Sequence, residues 1–235
     1  MKVYVLNLPE ATQRLANITS CYPSDMPPFE VWVGKTGDEI EIPDWWKGSP
    51  RMASNRQNFI DLFDACASGT ENFLILEDDC VFAENFKTKL DAFLEEVPDD
   101  WEYLNLGACH LQHNLLPPKQ ISENVLRPKF PVCTHAILVK PTGATKARDI
   151  IIQEGWGGRH VTDQRIALLF YADLINGYSP LRNFAGQAGG QSTLCQIVRN
   201  GDDYFNDFRY IDLEGKTCQS VSDTQPKTDS EPTEV

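Results

Sequence analysis

A chain of 235 residues, 41% hydrophobic and 23% charged with a net charge of −13, can bury one sizeable core and is too acidic for a generic nucleic-acid coat protein. No stretch approaches the roughly 18–20 apolar residues of a membrane span. The opening MKVYVLNLPEATQR carries one Lys, then charges and a proline, without a signal-peptide core, so the expected setting is the cytoplasm of a bacterium or of a virus-infected cell. The 7 cysteines are odd in number and scattered without a CxxC pair, which excludes a disulfide framework or zinc ribbon and suits a reducing compartment.

In chain order, KVYVLNL (2–8) alternates and is β-branched, a strand. Pro9 opens a helical segment through Cys21, with Leu15 and Ile18 on one face. FEVWVG (29–34) is a second strand, and IPDWWKGSP (42–50) is a loop with two adjacent tryptophans. An amphipathic helix spans 54–68, with Ser54 as its cap and Phe59, Leu62, Phe63 and Cys66 on one face. NFLIL (72–76) is a buried strand that runs into Glu77, Asp78 and Asp79. Helix 84–97 follows, then strands WEYLNLG (101–107) and THAILV (134–139) around a Pro-rich loop holding Pro117, Pro118 and Pro131. Helices 141–152 and 162–172 and a short strand-like DLINGYS complete the pattern. Residues 219–235 are polar, rich in Ser, Thr and Pro, and without periodicity. Asp223, Asp229, Glu231 and Glu234 against Lys227 give that tail −3, leaving −10 for the body.

Strands alternating with helices predict a Rossmann-like α/β fold, an open sheet with helices on both faces. Such sheets bind ligands beyond the carboxyl ends of their strands, where the three acids fall. Like charges this close raise one another's pKa unless a cation sits among them. Strand alternation puts Glu77 and Asp79 on one face with Asp78 turned away, a hard-oxygen pair suited to Mg²⁺ or Mn²⁺ shared with substrate phosphates.

Five stretches in order resemble the family 25 glycosyltransferases, which include lipopolysaccharide sugar transferases and collagen galactosyltransferases. They are VYVLNLPEATQRLANI, LILEDDC, WEYLNLG, CTHAILVKPTGATK and GYSPLRNFAGQAGGQST. The resemblance implies a single-domain GT-A type fold with an open mixed sheet, expected over residues 1–215; the composition of the remainder predicts a disordered acidic tail at 216–235. The resemblance also implies a UDP-sugar donor, Mn²⁺ or Mg²⁺, and transfer to an acceptor hydroxyl. Asp79 would bind the metal bridging the donor diphosphate, Glu77 would reach the ribose or a metal-bound water, and water or Asp78 would fill the third ligand place. Asn7 and Arg14 from the first motif, and Gln187, Gly189 and Ser192 from the last, fall at donor-binding positions. Asn55 stands where the family has a histidine, and Asp163 lacks the family's neighbouring acid.

The residues themselves leave alternatives. Asp163 is either a first-turn acid favoured by the helix dipole or the base that takes the acceptor's proton. Arg14 meets a diphosphate or uracil carbonyl, or is a surface charge. His135 is a core or supporting histidine, and His110 and His113 read as solvated. Gln187 to Ser192 form a Gly-rich loop that a ligand can approach. Trp45 and Trp46 stack on an acceptor sugar or close the core edge. The acceptor is a saccharide or a hydroxymethylated base of viral DNA. The rival class is a non-catalytic nucleotide-sugar-binding module.

Overall fold

The computed structural model describes residues 1–110, 115–154 and 161–188, with the backbone of two short strands at 190–191 and 198–199. The elements are β1 (Lys2–Asn7), α1 (Thr12–Cys21), β2 (Glu30–Val33), α2 (Pro50–Ala67), β3 (Phe73–Glu77), β4 (Cys80–Phe82) and α3 (Phe86–Glu96). There follow β5 (Tyr103–Asn105), β6 (Cys109–His110), β7 (Lys119–Gln120), β8 (Val125–Arg127), β9 (Pro131–Val132) and β10 (Ala136–Val139). The last are α4 (Pro141–Ile152), α5 (Thr162–Tyr171), β11 (Gly177–Pro180), β12 (Ala185–Gln187), β13 (Gly190–Gln191) and β14 (Val198–Arg199).

Eight strands form one mixed sheet in the order β2-β1-β3-β10-β5-β11-β8-β7. The β2-β1-β3 part is parallel, and β10 runs antiparallel between β3 and β5. Alternation along the strands sorts the core into two layers. Val3, Val5, Leu74 and Leu76 point to one face and pack with Ile18 of α1 and Phe86, Leu90 and Phe93 of α3. Tyr4, Leu6, Phe73 and Ile75 point to the other, against α2, α4 and α5. The expected α/β architecture, a mixed sheet flanked by helices on both faces, is the one found.

Four local expectations are corrected. Helix α1 starts at Thr12 rather than at Pro9, because the Ala11 N–H closes a turn onto the Leu8 carbonyl at 2.9 Å. Helix α2 starts at Pro50. Its cap is Ser49, whose Oγ accepts from the Met52 N–H, while Ser54 is buried one turn in and donates to the Lys35 carbonyl at 2.5 Å. The Pro-rich loop contains a hairpin, β7–β8, enclosed by the antiparallel pair β6–β9, and β8 joins the main sheet through β11. His110, expected in solvent, is 3% exposed within β6.

One pair of motif residues is explained by packing. A Cβ on Gly107 would lie 2.0 Å from His135 Nε2, so only glycine lets that imidazole, itself 0% exposed, occupy the core. The reading of His135 as a core residue agrees with this burial.

Candidate active site

The carboxyl ends of β1 and β3 lie side by side, with Leu6 opposite Glu77. Strand pairing stops at Glu77, so Asp78 and Asp79 belong to the turn into β4. This corrects the expected alternation: Asp78 is not turned away from its neighbours. Arg14 gathers both aspartates, Nη1 donating to Asp78 Oδ1 at 2.6 Å and Nη2 to Asp79 Oδ2 at 3.0 Å. Asn7 at the end of β1 donates to Asp78 Oδ2 at 2.8 Å and to the Ala11 carbonyl at 3.1 Å, tying the acid turn to the start of α1. Arg14 is thus paired with the acid turn rather than standing as a lone surface charge.

Among the described residues no cationic side chain forms an ion pair with Glu77. Its Oε1 accepts from Thr134 Oγ1 at 2.6 Å. Burial and the neighbouring Asp79 push its pKa up to about 8, with smaller contributions from Asp78 and Asp163. Asp78 is also raised by burial, against the pull of Arg14 and Asn7.

A cleft of about 820 Å³ opens above these residues, lined by Arg14, Asn55, Glu77 and Asp78 together with the Thr36–Asp38 loop and Arg51. The size suits a nucleotide-sized ligand. Sequence reasoning missed the Thr36–Asp38 wall and its anchor. Asn58 brackets the Lys35 peptide, its Oδ1 accepting from the N–H at 2.8 Å and its Nδ2 donating to the carbonyl at 3.0 Å. The available signal was Ser54 and Asn58, polar and four apart on a helix face otherwise carrying Phe59, Leu62 and Phe63.

Asp163 lies in the first turn of α5. Its Oδ2 accepts from the Cys133 N–H at 2.9 Å and its Oδ1 from the Gln164 N–H at 2.7 Å. Cys133 has φ 75°, a left-handed conformation that costs a non-glycine residue about 1 kcal/mol or more. The Asp163 bond holds that peptide immediately before Thr134, the partner of Glu77. Asn55 joins the same end of α5, its Oδ1 accepting from Thr162 Oγ1 at 2.9 Å. Gln187 ends β12 opposite Cys80, and the adjacent Ala188 N–H donates to the Asp79 carbonyl at 2.6 Å. Gly189 and Ser192 lie outside the described residues, as do His113 and the 216–235 tail.

Neither tryptophan lines the cleft itself, although Trp46 Nε1 donates to the carbonyl of Ser49, a lining residue, at 3.2 Å. Trp46 is 7% exposed, and Arg56 lies over both indoles at 5.2 and 5.9 Å. Arg56 and Arg165, two buried arginines that sequence reasoning missed, donate to carbonyls at the end of α4. Arg56 Nε reaches Ile151 at 3.1 Å, and Arg165 Nη1 reaches Ile151 at 3.0 Å and Gln153 at 2.5 Å. The pair therefore closes an edge of the core.

No family model matches the chain, and no curated protein matches it. Among solved structures the chain is similar to a glycosyltransferase involved in the glycosylation of the major capsid of PBCV-1. The identity is 13% and the TM-score 0.38, over 69% of this chain and 72% of that one. It is similar to A197 from STIV at 12% identity and a TM-score of 0.36, over 94% of each chain. It is similar, too, to a Bacillus anthracis protein assigned as a glucose-1-phosphate thymidylyltransferase and solved with a sucrose, at 12% identity and 0.41, over 80% and 89%. These are weak likenesses of overall shape and say nothing of activity.

The donor set suits a hard divalent cation. Three carboxylates meet at a strand end, and Asp79 Oδ1 is buried without a hydrogen-bond partner. Among the described residues no group of three or more His, Cys, Asp or Glu side chains is arranged to hold a metal ion. A shared site, completed by ligand phosphates, is the kind these residues can form. Among the described residues no helix is long and apolar enough to cross a membrane.

Proposed function

We propose that the chain is a glycosyltransferase of the GT-A kind, resembling family 25. It takes a UDP-sugar in the 820 Å³ cleft and transfers the sugar to an acceptor hydroxyl with the help of Mn²⁺ or Mg²⁺. The observation that carries the reading is the acid turn at the ends of two parallel strands, buried without a full set of partners and opening on a cleft of nucleotide size. The five ordered motifs support it.

In this reading Asp79, with Glu77 beside it, would hold the cation, which when bound would supply charge neutralisation for the departing diphosphate. Asn7 orients Asp78 through the 2.8 Å hydrogen bond. Arg14, Asn55 and Gln187, with Gly189 and Ser192 of the last motif, hold the donor. Asp163 takes the proton from the acceptor hydroxyl as its oxygen bonds to the anomeric carbon and the bond to the diphosphate breaks. The acceptor is assigned as a saccharide. A hydroxymethylated base of viral DNA is the alternative, which the −13 net charge disfavours.

One observation favours a second reading, a nucleotide-sugar-binding module without transfer. Both oxygens of Asp163 hold backbone N–H groups, as they would in a purely structural acid. A screen of nucleotide sugars for Mn²⁺-dependent release of nucleoside diphosphate separates the two. Release with one donor is expected; binding without release in the presence of candidate acceptors would leave the module.

A further inference from the structure

We infer that Arg14 is a displaceable counter-ion. In the ligand-free protein its guanidinium occupies carboxylate oxygens that a divalent cation needs, and cation and donor diphosphate together release it. This rests on the reading of the cleft as a nucleotide-sugar site.

The geometry is unusual for an arginine pair. A guanidinium fork ordinarily grips one carboxylate with two parallel bonds. Here it is divided, one nitrogen on Asp78 at 2.6 Å and the other on Asp79 at 3.0 Å. The fork thereby spans the turn as a bridging cation would. Its place on the helix is equally telling. Arg14 is the third residue of α1, where the helix dipole disfavours positive charge. No benefit to the helix explains a cation there; the two acids do.

The arrangement is also reversible. Asn7 retains Asp78 by its other oxygen, and Asp79 keeps one buried oxygen without a partner, so the acids stay in position when Arg14 leaves. The Arg14 side chain is 27% exposed and lines the cleft, so rotation about its own bonds brings it into the cleft while α1 stays fixed.

Two consequences follow from charge. A divalent cation alone must break both ion pairs and then sit beside a displaced guanidinium that repels it. A diphosphate offers that guanidinium a new planar, anionic partner. Metal and nucleoside diphosphate therefore assist each other's binding by equal factors, as linkage requires.

The test measures Mn²⁺ binding to the full chain from the paramagnetic resonance signal of free Mn²⁺. It is run with and without UDP and corrected for Mn²⁺ held by UDP in protein-free controls. The wild type is expected to bind Mn²⁺ weakly alone and about tenfold or more tighter with saturating UDP, within the usual range of coupling. Arg14→Met is expected to bind Mn²⁺ alone several-fold tighter than the wild type and to lose most of the gain from UDP. Arg14→Lys keeps the charge but cannot bridge two carboxylates, so it should fall between them. If Arg14→Met does not fold, Arg14→Lys carries the comparison, and wild-type Mn²⁺ affinity in it overturns the proposal. UDP-coupled Mn²⁺ binding that Arg14→Met leaves unchanged overturns the counter-ion role alone. An absence of Mn²⁺ binding in all three proteins at every UDP concentration overturns the metal reading of the cleft, and this proposal with it.

Discussion

Glu102 and Glu77 stand at opposite ends of the same sheet, Glu102 just before β5 and Glu77 at the end of β3, with β10 between the two strands. The Glu102 side chain is 13% exposed and close to Lys146 Nζ at 2.6 Å, and it also accepts from the Asn176 N–H at 3.0 Å. Burial pushes its pKa up, but Lys146 and Asn176 outweigh burial and hold it below the ordinary carboxylate range. Glu77 is half-buried among acids, with a threonine hydroxyl in place of a lysine, and its pKa rises to about 8. The fold gives its structural acid fixed partners and leaves its cleft acids short of them. Buried acids without full compensation are where a ligand cation has something to gain.

The largest expected effect tests whether the cleft acids are metal-binding at all. Asp79→Ala is expected to abolish Mn²⁺-dependent UDP-sugar binding, measured by calorimetry, while the chain still folds. Removing one of three like charges relieves repulsion and leaves Arg14 paired with Asp78. Parent-like Mn²⁺ and donor binding in this variant would put Asp79 among the structural acids with Glu102.

Next in size is Asp163→Asn. As the base, Asp163 should contribute roughly 10²–10⁴-fold to transfer, so the Asn variant is expected to lose that much with donor affinity little changed. The structure alters the expectation for stability. Both carboxylate oxygens accept backbone N–H bonds, and the Asn amide would turn a donor toward one of those donors. A cost of about 1–3 kcal/mol is expected, rather than the near-neutral exchange of a simple helix cap. Thermal melts and turnover together separate the roles: a destabilised variant with normal turnover removes Asp163 from the chemistry.

The strand–helix alternation was legible because long elements such as β1 and α2 carry enough apolar residues to show their period. The acid turn was legible because three carboxylates after a buried run are costly and rare. Several strands of only 2–3 residues, among them β4, β6, β7, β8, β9 and β12, are too short to show a period, so their existence depends on long-range pairing. The direction of Asp78 was lost for a related reason: alternation holds only while the ladder continues, and it ends at Glu77. The partnership of Arg14 with Asp78 and Asp79 spans 64 and 65 residues, and local sequence contains no trace of it. The Ser49 cap was missed because Ser54 looked equivalent, though Pro50 after Ser49 was the deciding signal.

The smallest effect sharpens the two-glutamate comparison through pH. In the metal-free protein the folded Glu77 has a pKa of about 8 against 4.5 unfolded. Between those values the folded chain keeps a proton that the unfolded chain releases, so stability falls as pH rises from about 5 to 8. Glu102 has the opposite sign. Its folded pKa is lowered, so its contribution is present above the unfolded value and is lost as pH falls through the folded one. In melts from pH 5 to 8.5 with chelator, Glu77→Gln should flatten the decline and melt a few degrees above the wild type at pH 8. Its amide oxygen can still accept from Thr134. Glu102→Gln should leave the decline in place and melt lower throughout, because Lys146 loses its partner. Asp78, raised in the same direction as Glu77, accounts for any slope that survives in Glu77→Gln. If that variant keeps the full wild-type slope, Glu77 is compensated after all, and the contrast with Glu102 disappears. A cation bound with UDP should flatten the wild-type curve as well, since it supplies from outside the charge that Lys146 supplies to Glu102 from within.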